Sequence, residues 1–377
     1  MLFIDSAGGN TARNNADLMV RRNRYPALDL SLAAMALYTL QAHAPSGGAG
    51  NRTSMRGGGP MVTLVDPGRG RLWDLVWANV PDGRAADARI LPWMRPTATS
   101  EKKGSDVYPA SAHPAEAFFG MPRRLRLLGD DAVTGVIQKP WGTNYAGWIH
   151  PLTPFYRVKE GAELLPLHPR AGAFGYRNFL GVVVGMPGDG ADLRRRAGCL
   201  DAYEGRLLAP DRAGASVIVA GWSMDNMKPR DFVLSRQPLL PDTDQDMLAA
   251  MIQSAEVFGG ALRGALKVVA GEGSALDALR EEFFVMTQAD FEAGLAGLLR
   301  GQEVARPWVA AMQRAALAIF DRQALPGLDR LPPAAMARII AAREGLRAIF
   351  AGWRKPGSDA FLWLGLEPVA RGKGVAA

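Results

Sequence analysis

Side chains suited to acid–base, metal or nucleophilic chemistry are few in this sequence. It contains four histidines, His43, His113, His150 and His168, and a single cysteine, Cys199. No two histidines have the spacing of a zinc site, and neither a Cys-x-x-Cys nor a Gly-x-Ser-x-Gly motif is present. We therefore predict no metal, no cofactor and no catalytic residue, and we expect that the protein is not an enzyme.

A glycine-rich segment has the clearest capacity to bind a ligand. Residues 44–60 read APSGGAGNRTSMRGGGP and include six glycines. Glycine adopts positive φ and lets the backbone approach a ligand closely, while Arg52 and Arg56 are candidates to contact phosphates. The segment lacks the Lys-Ser/Thr of a P-loop and the third glycine of GxGxxG, so nucleotide hydrolysis is poorly supported. A pair of tight turns beside the strand at 60–65 is the purely structural alternative.

The distribution of charge indicates where an anionic partner would bind. The net charge is +7 and the isoelectric point is near 9.7. Residues 242–355 are close to neutral, so the excess lies in the first 241 residues. Three segments there combine basic, aromatic and glycine residues, at 120–126, 139–151 and 221–229. This combination favours phosphate and base contacts and is typical of nucleic-acid binding.

The elements that must position these residues change character near residue 241, and together they predict an α+β fold. Over 1–241, short strand-like runs at 61–65, 124–128, 178–186 and 215–222 alternate with long loops, and one helix is predicted at 30–41. Over 242–355, apolar spacings of three and four predict an antiparallel four-helix bundle. Its second helix should begin at a capping box of Ser274 and Asp277, and residues 356–377 should form a loosely ordered tail.

No membrane or secretory signal is evident. The longest apolar runs suit a buried strand rather than a bilayer span, and the first twenty residues lack a signal-peptide hydrophobic region. One cysteine excludes an intramolecular disulfide and fits a reducing compartment. We therefore expect a cytoplasmic protein without a membrane partner.

Several motifs, in this order, resemble the CasA family, the large subunit of the type I-E Cascade, a CRISPR RNA-guided surveillance complex of bacteria. They are TSMRGGGPMVTLV at 53–65, LWDLVWANVP at 72–81, FFGMPRRLRL at 118–127, NYAGWIHPLTPFY at 144–156 and AGWSMDNMK at 220–228. The resemblance implies a non-catalytic subunit that recognises the protospacer-adjacent motif (PAM) in double-stranded DNA through the minor groove. It implies that the subunit also wedges the duplex open to start R-loop formation. The implied partners are DNA, guide RNA, the other Cascade subunits and a separate helicase-nuclease.

The resemblance assigns DNA-binding roles to residues in four places. The PAM-reading glycine loop of the family corresponds to Ser46, Gly47, Gly48 and Ala49. The minor-groove lysine of the family corresponds to Lys139. Because minor-groove readout is degenerate, such a loop should tolerate several related motifs.

The other two places are a hairpin and an early loop. The hairpin that wedges the duplex corresponds to Asn226, Met227 and Lys228; unstacking one base step costs only a few kcal/mol, which contacts and guide pairing recover. An early loop, which in the family contacts the complex near the PAM and the guide 5′ end, corresponds to Phe3, Arg13 and Asn14.

The chain departs from the family in two respects. Members carry a substantial portion before the early loop, whereas this chain begins almost at that loop, so we expect an N-terminally shortened member. Some members also have two Cys-x-x-Cys pairs for zinc; Asp29 and Leu32 stand at the first pair, and residues 130–136 contain no second pair. Two alternatives stay open: an enzyme that binds a phosphorylated small molecule through the glycine-rich loop, and a defective fragment.

Overall fold

The chain forms two compact units. The computed structural model describes residues 2–3, 6, 9–17, 22–45, 48, 50–58, 61–186, 193–206, 214–225, 228–240 and 245–370. The first unit comprises Met1–Ala173 and Pro187–Leu239, and the second comprises Phe174–Met186 and Leu240–Ala377. The fold is mixed, as predicted, with short strands in the first unit and long helices in the second.

The described part of the first unit contains five α-helices and ten strands. The helices are α1 (Gly9–Arg13), α2 (Leu30–Ala42), α3 (Leu72–Ala78), α4 (Glu116–Phe119) and α5 (Gly198–Arg206). The strands are β1 (Leu28–Asp29), β2 (Val62–Asp66), β3 (Arg124–Leu128), β4 (Ala132–Val133), β5 (Gly135–Lys139), β6 (Phe155–Tyr156), β7 (Leu165–Pro166), β8 (Arg194–Arg195), β9 (Ser216–Asp225) and β10 (Lys228–Pro238). They pair antiparallel into four small sheets, in the orders β10-β9-β2, β7-β6-β8, β3-β5 and β1-β4.

Helix α2 and the β3–β5 ribbon form one layered substructure. The helix begins where the Asp29 carboxylate accepts the Leu32 N–H at 2.9 Å, a side-chain cap that satisfies an otherwise unpaired donor. Its apolar residues pack with the inner face of the ribbon, through Leu125 and Leu127, around a buried cluster that includes Val133. The predicted helix at 30–41 is confirmed, and this packing leaves the other face of the ribbon outward.

The second unit consists of long amphipathic helices. They are α6 (Gln245–Ala270), α7 (Ser274–Leu298), α8 (Ala305–Ala324), α9 (Pro333–Phe350) and a shorter α10 (Gly357–Trp363). Helix α6 contacts each of the other four, and Phe258 stacks on Phe350 with ring centroids 4.3 Å apart. The four long helices are confirmed; the antiparallel four-helix bundle stays a prediction. None of the helices among the described residues is long and apolar enough to cross a membrane.

Two sequence predictions for this unit are wrong. Residues 357–363, expected in a loose tail, form α10, whose Phe361 is buried, and Trp353 Nε1 donates to the Val369 carbonyl at 2.7 Å. The capping box at Ser274 is not formed either. Helix α7 has Gly273 at its N-cap, so Ser274 is the first residue of the helix rather than its cap, and Asp277 pairs with Arg263 at 2.8 Å.

The segment 174–186 also differs from the prediction. Its apolar run was expected to form a strand of the first domain, but the chain turns back on itself, with the amides of Val182, Val183 and Val184 all donating to the Phe179 carbonyl. The segment packs into the helical unit through buried side chains, among them Tyr176. The expected boundary at 241 is therefore incomplete, because this earlier segment belongs to the second unit.

Candidate nucleic-acid interface

The glycine-rich loop is held by turns that require its glycines. Gly48, Gly50 and Gly57 have φ of 84°, 75° and 71°, values that residues with a Cβ rarely adopt. The Asn51 N–H donates to the Gly48 carbonyl at 3.0 Å and closes a turn that exposes backbone at Gly48. The other three loop residues assigned to PAM reading, Ser46, Gly47 and Ala49, lie outside the described residues.

The loop is fixed directly to the end of strand β5. The Trp141 N–H donates to the Gly50 carbonyl at 2.6 Å, and Gln138 Nε2 donates to Asn51 Oδ1 at 2.5 Å. A Cβ on Gly50 would lie 2.7 Å from the Cβ of Pro140, so the two segments meet without space for a side chain. The structure therefore brings the glycine loop beside Lys139, which the sequence linked only through the family resemblance.

Trp141 has a strained backbone at this junction. Its φ of 64° is an outlier for a bulky residue. The Arg52 guanidinium lies over its ring, 5.3 Å from the centroid, and Arg52 Nε also donates to Ser100 Oγ at 2.7 Å. Such strain costs on the order of 1–3 kcal/mol and persists where surrounding contacts impose it, often at functional sites. We call Gly48, Gly50, Arg52, Lys139 and Trp141 the loop–ribbon site.

Lys139 presents an exposed positive charge at this site. It ends strand β5, directly opposite Arg124 on strand β3. The Arg124 guanidinium pairs with Glu101 at 2.8 Å, whereas no carboxylate of the described chain pairs with Lys139. An exposed ammonium group beside a loop with little side-chain bulk can reach into a narrow groove lined with acceptors.

The two arginines predicted to contact phosphates have different positions. Arg52 is half-buried and contacts Ser100 and the Trp141 ring, so its guanidinium stabilises the loop. Arg56 is buried and does not fit the expected role on the surface, because Nε donates to Thr153 Oγ1 at 3.0 Å and Nη2 has no partner among the described residues. Burial lowers the pKa of Arg56 to about 10.

The buried Arg56 charge affects two histidines. Burial, followed by the nearby Arg56 guanidinium, lowers the pKa of His43 to about 4 from its usual 6.5. The same two causes hold the pKa of His150 well below its usual value, with His43 adding a smaller effect. Both imidazoles are therefore neutral in the folded chain at neutral pH, which fits a structural role rather than acid–base catalysis.

This cluster predicts a loss of stability in mild acid. Between pH 6.5 and about 4 the unfolded chain binds a proton at His43 that the folded chain does not. The free energy of unfolding should therefore fall as the pH falls through this window, by about 3 kcal/mol for His43 alone. Urea denaturation between pH 7.5 and 4.5 measures this, and the slope should be smaller in His43→Gln.

The matched control for this prediction is His113→Gln. The His113 ring makes a 3.2 Å hydrogen bond with the Arg84 carbonyl, and His113 is not among the causes that lower the pKa of His43. This variant should keep the wild-type pH dependence. A pH dependence that is equally steep in wild type and in His43→Gln would contradict the assignment of His43 as a half-buried, neutral imidazole.

The early-loop residues occupy two environments. Phe3 packs against the apolar cluster of α2, and its ring lies against that of Tyr25 with centroids 4.4 Å apart and a tilt of 30°. Arg13 and Asn14 are exposed at the end of α1. Of the three, Arg13 and Asn14 therefore have side chains accessible to a partner, whereas the Phe3 ring serves mainly to anchor the segment.

The candidate wedge lies at the end of the longest strand pair. In the hairpin of β9 and β10, Asp225 pairs with Lys228, and only Asn226 and Met227 intervene in sequence. Asn226, Met227 and the Lys228 side chain lie outside the described residues. The stem is paired down to Ser216↔Pro238, with one irregularity between Pro229 and Asp231.

The remaining residues suited to nucleophilic or metal chemistry are engaged in contacts that stabilise the fold. Cys199 is buried, its Sγ donates to the Thr63 carbonyl at 3.3 Å, and burial raises the pKa of its thiol to about 12. Asp29, at the position of a family zinc ligand, caps α2. Across the part of the chain that the structure describes, no group of three or more His, Cys, Asp and Glu residues is placed to hold a metal ion.

Sequence reasoning missed three residues that build the site: Ser100, Gln138 and Trp141. Ser100 accepts from Arg52 and donates through Oγ to the Gly142 carbonyl at 2.7 Å. The composition of the Lys-Pro-Trp-Gly run at 139–142 indicates a binding segment, but neither the positive φ of Trp141 nor its bond to Gly50 is visible in sequence.

Together the fold and this site define a class of protein: a mixed α/β unit with basic, glycine-rich loops, joined to a helical unit. Within that class, residues 1–322 match the family model of CRISPR-associated protein Cse1, and the chain belongs to this family. The CasA resemblance is thereby confirmed. No curated protein matches the sequence.

Solved structures support the same fold. CasA from Thermus thermophilus is 21% identical, with 86% of this chain and 72% of that chain covered at a TM-score of 0.60. A chain of a CRISPR RNA-guided surveillance complex is 16% identical, with 88% of this chain and 70% of that chain covered at a TM-score of 0.64. Cse1 from Acidimicrobium ferrooxidans is 18% identical, with 86% of this chain and 72% of that chain covered at a TM-score of 0.53. At these identities the likeness establishes the fold.

Proposed function

We propose that this chain is a non-catalytic DNA-recognition subunit of a type I-E Cascade complex, which reads the PAM in double-stranded DNA through the minor groove. The observation that carries the proposal is the bond between the Trp141 N–H and the Gly50 carbonyl, because it fixes the glycine loop beside Lys139. Membership of the Cse1 family and likeness to a chain of an RNA-guided surveillance complex support the same function.

The chemistry of the loop–ribbon site suits the minor groove. That groove is about 6 Å wide and presents mainly acceptors, the N3 of adenine and the O2 of thymine. Lys139 supplies an exposed donor, and Gly48 supplies backbone with no side chain within 4 Å of its Cβ position. A thin backbone segment and one long cation can enter such a groove together, whereas an α-helix cannot.

The β9–β10 hairpin is the proposed wedge. Its stem is a long antiparallel pair, and only Asn226 and Met227 separate the paired residues Asp225 and Lys228 in sequence. Inserting a hairpin tip between base pairs costs a few kcal/mol of unstacking, which contacts and guide–target pairing offset. In this proposal the first unit also helps to recruit the helicase-nuclease, and the complex contains the guide RNA and the other Cascade subunits.

A duplex-binding titration tests the proposal. The chain is assembled with its partner subunits and guide RNA, and targets with randomised flanking trinucleotides are titrated at fixed salt. Wild type should prefer a subset of flanks by tenfold or more, and both Lys139→Ala and Gly48→Asp should remove that preference. Lys159→Ala, which removes an exposed lysine elsewhere in the first unit, is the matched control and should retain it.

The outcomes separate the proposal from its alternatives. Equal binding to all flanks by wild type and by both variants would contradict PAM reading. Failure to assemble would favour a defective fragment. Binding of a phosphorylated small molecule by the isolated chain, weakened by Gly48→Asp, would favour an enzyme.

A further inference from the structure

The outer face of the β3–β5 ribbon concentrates positive charge next to the loop–ribbon site. The pairing sets Arg124 opposite Lys139 and Arg126 opposite Ile137. Side chains of opposed residues lie on one face of an antiparallel pair, so Arg124, Arg126 and Lys139 share the face opposite to the Leu125 and Leu127 side chains.

The arrangement is unfavourable for the isolated ribbon. Like charges directly opposite each other on neighbouring strands destabilise the pair, and Arg124 and Lys139 stand in that relation. The Glu101 carboxylate lies 2.8 Å from the Arg124 guanidinium and offsets the charge of Arg124, but not that of Lys139. Arg126 is exposed, and no carboxylate of the described chain pairs with it; Asp130 and Asp131 lie beyond Leu128, in the turn that follows β3.

An anionic strand laid along this face would neutralise the repulsion. Arg124 and Arg126 are two residues apart on one strand, or about 7 Å. That separation is comparable to the distance between neighbouring phosphates along one DNA strand, so the two guanidinium groups can contact successive phosphates. Lys139 lies on the same face as these two arginines. Two residues further along the chain, the Trp141 N–H binds the glycine-rich loop at the Gly50 carbonyl.

We infer that the outer face of the β3–β5 ribbon binds the DNA sugar-phosphate backbone beside the motif, with Arg126 as a sequence-independent phosphate contact. Arg124 joins it when DNA displaces its guanidinium from Glu101. This inference rests on the proposed function and deepens it, because it separates a residue that reads the motif, Lys139, from residues that supply affinity for any duplex.

The test is the salt dependence of duplex binding by the assembled complex. Losing one phosphate contact lowers the slope of log affinity against log salt by about 0.9. The affinity ratio of wild type to Arg126→Ala should therefore shrink by roughly threefold between about 50 and 200 mM salt. The preference among flanking motifs should stay at the wild-type value.

Two further variants sharpen the test. Glu101→Gln frees Arg124 and should tighten binding to every flank at the lower salt concentration. Arg89→Ala removes an exposed arginine that pairs with Asp87 at 2.6 Å elsewhere in the first unit, and it should change neither slope nor affinity.

The contrary outcomes are distinct from failure of the proposed function. An unchanged slope in Arg126→Ala, while Lys139→Ala still removes motif preference, overturns the ribbon inference and leaves the PAM proposal standing. Weaker assembly with the partner subunits at an unchanged salt slope identifies the face as a protein interface and also overturns it. Loss of motif preference in Arg126→Ala contradicts the sequence-independent role.

Discussion

Tyr176→Ala should lower the stability of the helical unit by about 3–5 kcal/mol, the usual cost of truncating a large buried aromatic side chain. The ring is fully buried, stacked on Phe291 at 4.4 Å and edge-on to Trp308 at 5.4 Å. The hydroxyl lies 2.8 Å from Thr287 Oγ1, and the backbone N–H donates to Gln288 Oε1 at 3.1 Å.

Hydrogen exchange of the α7 amides in the full chain measures this effect, because it reports opening of the helical unit alone. Tyr176→Phe is the matched control and should cost only about 1 kcal/mol. Thr287 keeps its hydrogen bond to the Phe283 carbonyl at 2.8 Å, so removal of the Tyr176 hydroxyl leaves no buried donor unpaired. Protection of α7 in Tyr176→Ala within about 1 kcal/mol of wild type would contradict the placement of this segment in the second unit.

Gly50→Ala should abolish motif-dependent DNA binding while most of the fold survives. Its Cβ would meet Pro140 at 2.7 Å and Trp141 at 3.1 Å, and its φ of 75° disfavours any residue with a Cβ. The loop must therefore move away from strand β5, and Lys139 loses its fixed position relative to Gly48. We expect the preference between the best and worst flanking motifs to fall at least tenfold, or about 1.4 kcal/mol.

Gly70→Ala separates backbone strain from this close approach. Gly70 has a similar φ of 70°, but a Cβ there would meet nothing within 4 Å. Both variants should lose roughly 1 kcal/mol of stability from strain, while only Gly50→Ala should lose motif preference in the assembled complex. Retained preference in Gly50→Ala would indicate that the loop and Lys139 act independently.

Periodicity predicted the regular elements well and failed where the chain is irregular. The apolar spacing in 242–355 gives α6 to α9 because each helix is long and buries one face. The apolar run at 179–186 predicts a strand, but a short apolar segment suits any buried conformation, and periodicity alone does not distinguish them. Helix α10 is only seven residues long, which leaves too few turns for a periodic signal.

The site was predictable in part, through its composition rather than its geometry. Glycines and arginines at 44–60 indicate a ligand-binding loop, but the two arginines differ in burial: Arg56 is buried, whereas Arg52 is half-buried. The burial of Arg56 depends on contacts distant in sequence, such as its hydrogen bond to Thr153. The contact of Gly50 with Trp141 spans 91 positions in sequence, so no local pattern encodes it.

The most direct test of the central claim asks which groove is read. In the best-bound flanking motif, each purine is replaced in turn by its 3-deaza analogue, which removes the minor-groove N3 acceptor, or by its 7-deaza analogue, which removes the major-groove N7 acceptor. Binding by the assembled complex should weaken about tenfold for at least one 3-deaza substitution and for none of the 7-deaza substitutions. Lys139→Ala should bind the 3-deaza and natural duplexes equally. Weakening by the 7-deaza substitutions alone would contradict minor-groove recognition by Lys139 and the glycine loop.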